Sequence, residues 1–274
     1  MFNRVGVFFN QTKTHARPYA QEAVAFLRTQ NVHATLLTTL DNLPDMDVLI
    51  SLGGDGTILR CARACAPKNI PTLGLNCGTL GFLAAAEKEE MHRALTSLLE
   101  NKCVSRNHLM LQVTLRQNGT AQTLTALNDF VLHPSNMRAF FINAAFNGVQ
   151  MPPYFGDGVI VATPTGSTAY CLAAGGPIVE PNVEVFVVTP ICPHSLSQRP
   201  MVLSAAGKLL LKPVFKNTED SAVASFDGQI HIPLRAGAEI EIVRAPFTAR
   251  LLTLPERGFF SVLHKKLSWG QENA

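Results

Sequence analysis

Val48-Leu49-Ile50-Ser51-Leu52-Gly53-Gly54-Asp55-Gly56-Thr57 joins an apolar run to a glycine-rich turn, and a helix-like segment, Ile58 to Ala66, follows at once. Strand, turn and helix in that order are the repeating unit of a parallel α/β sheet, and open sheets of this kind bind ligands at the carboxyl ends of their strands. With no Cβ in the way, the loop backbone can come close to a ligand. The start of the helix offers unpaired N–H groups and a positive dipole end to an anion. The embedded carboxylate is the odd part, because a loop that only holds phosphate gains nothing from Asp55. On the residues alone two readings stand: Asp55 caps the helix, or it takes a proton or holds a metal beside a phosphate.

Outward from this loop, Val5 to Asn10, Val32 to Leu37 and Thr72 to Leu75 read as strands, and Ala20 to Gln30 has helical spacing. Glu87 to Glu100 is an amphipathic helix with Met91, Ala94, Leu95 and Leu98 on one face. After about residue 103 the rhythm becomes that of strands. His108 to Arg116 and Thr123 to His133 alternate around Asn118-Gly119, and Phe140 to Phe146 runs into Asn147-Gly148, both hairpin signals. Val159 to Thr163, Val183 to Thr189, Lys208 to Val214, Ala222 to Phe226 and Glu239 to Val243 are further strands. The expected fold is an α/β N-terminal domain with a parallel, Rossmann-like sheet over residues 1–103, followed by a β-rich, β-sandwich domain over 104–250. A linker is expected near Asn101 to Asn107. The segment 251–274, with helix-like Phe259 to Leu267, is expected to return to the first domain.

Bulk properties narrow the function. Of 274 residues, 47% are hydrophobic and only 16% charged, so the surface has little charge to spare and a homo-oligomer fits. A net charge of +3 with scattered basic residues, and no zinc-finger, RRM or helix-turn-helix signature, argues against nucleic acid. A small anionic ligand suits it better. No apolar run approaches the roughly 18 residues of a membrane span, and Met1 to Asn10 reads as a strand rather than a signal peptide. Six cysteines in a chain of this size do not make a disulfide framework. Cys61 and Cys65 lie four apart on one helix face, half of a metal site that no cluster completes, so they read as buried thiols of a cytoplasmic protein.

Three more segments resist a purely structural account. Leu75-Asn76-Cys77-Gly78-Thr79-Leu80-Gly81-Phe82-Leu83 is a second glycine-bearing turn at a strand end; a flexible connection and a binding loop are equally open. Asn128-Asp129 interrupts the apolar strand Leu124 to Leu132, where adjacent side chains point to opposite faces. Burying an unpaired carboxylate costs several kcal/mol, on the order of the largest single-site penalties, so a ligand is the expected partner. The third segment runs from Gly156-Asp157-Gly158 through a strand to Thr163-Pro164-Thr165-Gly166-Ser167-Thr168-Ala169-Tyr170. There Thr165, Ser167 and Thr168 can cap a helix and donate to a ligand, and Tyr170 offers an aromatic face. No Gly-x-Ser-x-Gly elbow makes Ser167 a nucleophile. No Walker A loop is present either, so phosphoryl transfer would rest on a carboxylate. His133 and His194 flank prolines and read as turn residues.

Together these segments resemble the NAD kinase family, enzymes that phosphorylate NAD to NADP. The likeness rests on Gly53-Gly54-Asp55-Gly56, on Asn76-x-Gly-Thr-Leu-Gly-Phe-Leu, on Asn128-Asp129 and on Asp157-Gly158. It continues through the Thr163–Tyr170 block, Gly175-Gly176-Pro177, residues 193–200, Asp227-Gly228-Gln229 and Lys266-Leu267-Ser268-Trp269. The resemblance implies that Asp55 is the general base for the 2′-hydroxyl of the adenosine ribose. It implies that Gly53, Gly54 and Gly56 meet the phosphates of ATP or polyphosphate. It implies that a divalent cation, Mg²⁺, offsets the charge on the transferred group without dedicated metal ligands in the chain. Asp55, Gly56, Asn128, Asp129, Asp157, Thr168, Ala169, Tyr170, Ala173 and Gln229 would hold NAD, in a homo-oligomer that is a tetramer or dimer. Two positions depart from the family pattern: Phe155 stands where relatives often carry a basic residue, and Asp129 where many carry Glu. Two rivals share parts of the pattern. A lipid kinase of the diacylglycerol or sphingosine type would share the glycine loop, and a non-catalytic NADP-binding regulator would share the pocket.

Overall fold

The computed structural model describes residues 2–11, 16–78, 81–136, 138–217 and 219–268; Thr79, Leu80 and Trp269 of the family-like motifs lie outside them. In chain order the elements begin β1 (Arg4–Phe9), α1 (Arg17–Thr29), β2 (His33–Leu37), β3 (Val48–Gly53), α2 (Asp55–Cys65), β4 (Thr72–Asn76), β5 (Ala86–Glu87), α3 (Met91–Leu99) and β6 (Val104–His108). Strands then run β7 (Leu111–Gln117), β8 (Thr120–Ala126), β9 (Asp129–Pro134), β10 (Phe140–Phe146), β11 (Val149–Gly156) and β12 (Gly158–Ala162) to the short helix α4 (Tyr170–Ala173). They resume as β13 (Val185–Ile191), β14 (Met201–Ser204), β15 (Leu209–Val214), β16 (Ala222–Phe226), β17 (Ile230–Leu234) and β18 (Glu239–Arg244), before β19 (Ala249–Thr253) and α5 (Phe259–Leu267). Two compact units result, Met1–Asn107 with Phe247–Ala274, and His108–Pro246.

The first unit is built on a seven-stranded sheet of order β2-β1-β3-β4-β19-β6, with β5 paired to β4. Pairing is parallel from β2 through β19. Period-two alternation divides the side chains between the two faces. Val5, Val7, Val48, Ile50 and Leu52 pack with Leu27 of α1 and with Met91, Ala94, Leu95 and Leu98 of α3. Phe8 and Leu49 pack with Cys61 and Cys65 of α2. A sheet covered on both faces needs near-continuous apolar strands, and every residue of β3 is buried. Cys61 and Cys65 are free thiols, which burial pushes up to about 12 and about 11. Helix α3 opens through a 3-10 turn, Lys88–Glu90, held by a reciprocal cap between Glu87 and Glu90.

The expected linker at 101–107 is instead partly a strand. Val104–His108 forms the outer strand β6, whose mostly exposed polar residues hide it from a periodicity argument.

The second unit is a sandwich of two six-stranded sheets, β11-β10-β15-β18-β7-β8 and β14-β13-β12-β9-β16-β17. Inward side chains of both sheets, among them Val113, Phe130, Ile142, Phe186, Phe226 and Ile240, share one core. Phe130 and Phe226 meet edge to face at 5.4 Å. Asn118-Gly119 and Asn147-Gly148 both adopt positive φ, 51° and 73°, then 50° and 82°. That is the geometry a two-residue hairpin turn requires. The stretch Thr123 to His133, expected as one alternating strand, is broken at Leu127-Asn128: β8 stays in one sheet and β9 enters the other. Asn128 therefore lies in a turn rather than within a strand, and Asp129 begins β9.

Candidate functional site

In the first unit the glycine loop leaves the carboxyl end of β3, beside the end of β4. Gly54 occupies the N-cap position of α2 with extended backbone, and Asp55 is the first helical residue. The capping reading of Asp55 is thereby corrected: its side chain turns away from its own helix. Oδ2 accepts the N–H of Phe82 at 2.7 Å and Oδ1 that of Leu83 at 3.2 Å. This approach depends on Gly81, where a Cβ would stand 1.8 Å from Oδ1 of Asp55. The two glycine loops are also tied by the Cys77 N–H, which donates to the Gly53 carbonyl at 3.2 Å. Asn76 closes the second loop on itself through both its amide atoms and Gly78. The second loop thus orients a half-buried carboxylate rather than only connecting elements. Two accepted amide bonds leave that carboxylate lone pairs for a hydroxyl proton. Gly53 is buried, Gly54 intermediate and Gly56 exposed at the helix start, where an anion meets the positive dipole end.

In the second unit the turn at Leu127-Asn128-Asp129 is shaped by a distant carboxylate. Asp227, in the left-handed region (φ 52°) after β16, accepts the N–H groups of Leu127, Asn128 and Asp129 at 3.1, 2.7 and 3.2 Å. Its own N–H donates to the Asp129 carbonyl at 2.9 Å. From the other side, the Thr163 hydroxyl donates to the Leu127 carbonyl at 2.6 Å and accepts the Gly166 N–H at 3.1 Å. Gly166 passes so close to Asn128 that a Cβ would lie 2.0 Å from the Asn128 carbonyl oxygen. His108 Nδ1 lies 2.9 Å from the Thr165 hydroxyl, and both residues are buried. Ser167 donates to the Pro164 carbonyl and accepts the Val179 N–H. Thr168 donates to the Thr165 carbonyl.

These hydroxyls were expected to cap a helix. None does, for Ala169 is the N-cap of α4 and no side chain caps it. Ser167 and Thr168 bind the 163–168 turn to itself, Thr165 meets His108, and only the Thr163 hydroxyl ties the turn to residues 127–129.

What opens beside these turns is a cleft of about 800 Å³, within the range of small-molecule sites. It gathers Asn128, Asp129, Asp157, Ala169 and Tyr170 of the expected substrate residues, with Asp227. Tyr170 is 47% exposed, its ring free to meet a ligand face. Of the others, Thr168 is half-buried next to Ala169, while Ala173 on α4 and Gln229 at the β16–β17 turn are exposed; none of the three lines the cleft. Asp129 is 5% and Asp227 9% exposed. Burial, with the neighbouring Asp227 charge as second cause, pushes the Asp129 carboxyl up to about 7. Phe155 does not reach for phosphate: it stacks on Phe141 at 4.4 Å and meets His194 edge-on at 5.0 Å. Among the described residues no three His, Cys, Asp or Glu side chains converge as a metal-binding set.

Sequence reasoning gave Asp227, His108 and His133 no place in the site. Asp227 entered only as part of the family-like stretch Asp227-Gly228-Gln229, with no role of its own. Only the fold reveals that its carboxylate accepts three amides from about a hundred residues earlier. His133, taken as a turn residue, lines the cleft while its Nδ1 contacts the Pro134 carbonyl at 3.1 Å.

Residues 7–103 match the family model described as the ATP-NAD kinase N-terminal domain, and residues 127–254 the one described as the ATP-NAD kinase C-terminal domain. An NAD kinase of Symbiobacterium thermophilum is 42% identical over 226 residues, covering 82% of this chain and 79% of that protein. One of Moorella thermoacetica is 36% identical over 281 residues, covering 97% and 90%. Among solved structures, an NAD kinase from Archaeoglobus fulgidus in complex with ATP superposes with a TM-score of 0.76 at 28% identity, covering 97% of this chain and 98% of that one. Yeast NADH kinase complexed with NADH shares the fold, with a TM-score of 0.88 at 24% identity over 98% and 88% of the two chains.

Proposed function

The chain belongs to the NAD kinase family, and we propose that it transfers the γ-phosphoryl group of ATP to the 2′-hydroxyl of the adenosine ribose of NAD, giving NADP. What carries this reading is Asp55, a carboxylate aimed by two backbone amides at the start of a helix whose glycine-rich approach suits phosphate. The ribose oxygen attacks the γ-phosphorus, the bond to the β–γ bridging oxygen breaks, and the hydroxyl proton passes to Asp55. Gly53, Gly54 and Gly56 meet the donor phosphates. The cleft lined by Asn128, Asp129, Asp157, Ala169 and Tyr170 holds the dinucleotide, with Thr168, Ala173 and Gln229 completing its surroundings.

The family's use of ATP implies a divalent metal, and Mg²⁺ is the ion proposed here. It would be held through the phosphates, with Asp55 the nearest protein carboxylate in the loop, and would neutralise charge on the transferred group. The chain's own contribution is then orientation and proton acceptance. The proposal extends to a homo-oligomer, a tetramer or dimer, which the exposed Val149, Met201 and Val202 on outer strands favour. It places the protein in the cytoplasm; no helix among the described residues is long and apolar enough to cross a membrane.

The test is NADP formation by purified protein given NAD, ATP and Mg²⁺, with NADH and polyphosphate as parallel substitutions. Sustained turnover with one pairing supports the reading and identifies donor and acceptor. Bound NAD without any NADP would overturn it in favour of a non-catalytic binder.

A further inference from the structure

The floor of the cleft holds two buried carboxyl groups that differ in their partners. Both oxygens of Asp227 accept backbone N–H groups, Oδ1 those of Asn128 and Asp129 and Oδ2 that of Leu127. Those three N–H donors occupy three of the roughly four lone-pair sites of the carboxylate, leaving less room for a proton than on a carboxyl without such bonds. The Asp129 carboxyl, by contrast, takes no hydrogen bond from the described residues, although the residue is 95% shielded from solvent (5% exposed). Around it the titratable and charged groups are Asp227 beyond β16, Cys171 on α4, and Asp157, His133, Tyr170 and Cys192 across the cleft. Ala162 of β12 stands opposite Asp129 in the sheet and brings no charge. Among the described residues lining the cleft there is no lysine or arginine to compensate a second buried anion.

We propose that Asp129 and Asp227 together hold one proton, that Asp129 carries it, and that Asp129 therefore meets the dinucleotide as a hydrogen-bond donor. Binding of the dinucleotide is then coupled to uptake of a proton at Asp129. This rests on the reading of the cleft as the dinucleotide site. The chemistry favours it, since a dinucleotide brings two negative phosphates to a cleft that already contains Asp157 and Asp227. A neutral acid offers an O–H to a carbonyl, ring-nitrogen or ribose oxygen acceptor without adding a third like charge. The position of the Asp129 carboxyl, raised to about 7, puts the transition inside the physiological range.

The experiment titrates NAD into the parent protein and into Asp129→Asn between pH 6 and pH 8.5, by calorimetry in buffers of different ionisation enthalpy. For the parent, affinity should be level at the acid end and fall by up to about tenfold per pH unit above pH 7, with a net proton taken up on binding. Asp129→Asn keeps a donor of the same shape and has no proton to gain. It should show a flat affinity profile from pH 6 to pH 8.5, with no net proton taken up on binding. A flat parent profile would overturn the inference and leave the dinucleotide site intact. So would a folded Asp129→Asn that binds tenfold or more weakly at pH 6, because Asp129 would then act as an acceptor. Absence of NAD binding by both proteins at every pH would overturn the site reading and this inference together. A readout without ligand is the infrared difference between parent and variant at pH 6 and pH 8.5. The carbonyl stretch of a protonated acid should be present at the lower pH and lost at the higher; its absence at both overturns the assignment.

Discussion

Asp55 owes its orientation to two amides and one missing Cβ. A side chain free to cap its own helix would point back along α2; the N–H groups of Phe82 and Leu83 hold it across the loop instead, past Gly81. Asp55→Asn keeps the shape and one acceptor oxygen but cannot take the hydroxyl proton. It is expected to retain NAD binding and to lower turnover by about 10² or more, the usual contribution of a general base; steady-state kinetics beside a dinucleotide titration measure both. Asp129 makes a different prediction, about stability in the absence of ligand. Its carboxyl moves from 3.8 to about 7 on folding, so between about pH 4 and pH 7 the folded state holds a proton that the unfolded chain releases. Stability must then fall as pH rises through that window, by at most about 1.4 kcal/mol per pH unit, and level off above it. The difference in stability between the parent and Asp129→Asn, measured by denaturation across pH 4 to 8, should carry this slope.

Among the elements, the ones readable from sequence are those with an apolar face. Strands β3, β4, β10, β15, β16 and β18 and helix α3 have buried residues at the period their geometry demands. Four strands that escaped notice, β6, β11, β14 and β17, are all outermost in their sheets. β6 is mostly polar, β11 and β17 contain proline and β14 is only four residues long, features that an unpaired edge tolerates more readily than a central strand does. Internal β19, only five residues long, and the two-residue β5 also went unread. The 163–168 turn shows how an element can look chemical for structural reasons. Its hydroxyls suggested ligand contacts, yet Thr163, Thr165 and Ser167 face inward and fasten the turn. Thr163→Val would remove a hydroxyl that both donates to Leu127 and accepts from Gly166 while keeping the shape. A loss of about 2 kcal/mol is expected from two hydrogen bonds, more if the freed groups stay dry. NAD affinity should weaken as the adjacent turn loosens. Chemical denaturation and a binding titration read the two effects separately.

At the scale of the whole molecule, the chain leaves the first unit at Asn107 and rejoins it at Phe247. The returning strand β19 is not an ornament at the rim: it lies between β4 and β6, pairing Leu251 with Thr72 and Leu252 with Leu73. Ending the chain at Pro246 should therefore open the first sheet. The second unit, one continuous segment with its own core, should persist. Limited proteolysis of the truncated protein would be expected to degrade residues 1–107 and leave a stable fragment near 108–246, whereas a chain ending at Leu267 resists in both units. The α/β unit around Gly53-Gly54-Asp55-Gly56, the change to strands after the first hundred residues and the two Asn-Gly hairpins are legible in the residues alone. All of these are encoded by neighbours a few positions apart. The packed fold alone brings the second glycine loop to Asp55, 27 and 28 residues away, and Asp227 to the turn at Asn128 and Asp129, 99 and 98 residues away. Periodicity reports which face of an element is buried, but a polar side chain has no periodicity. Its partner is whichever distant backbone the packed core brings within hydrogen-bond reach.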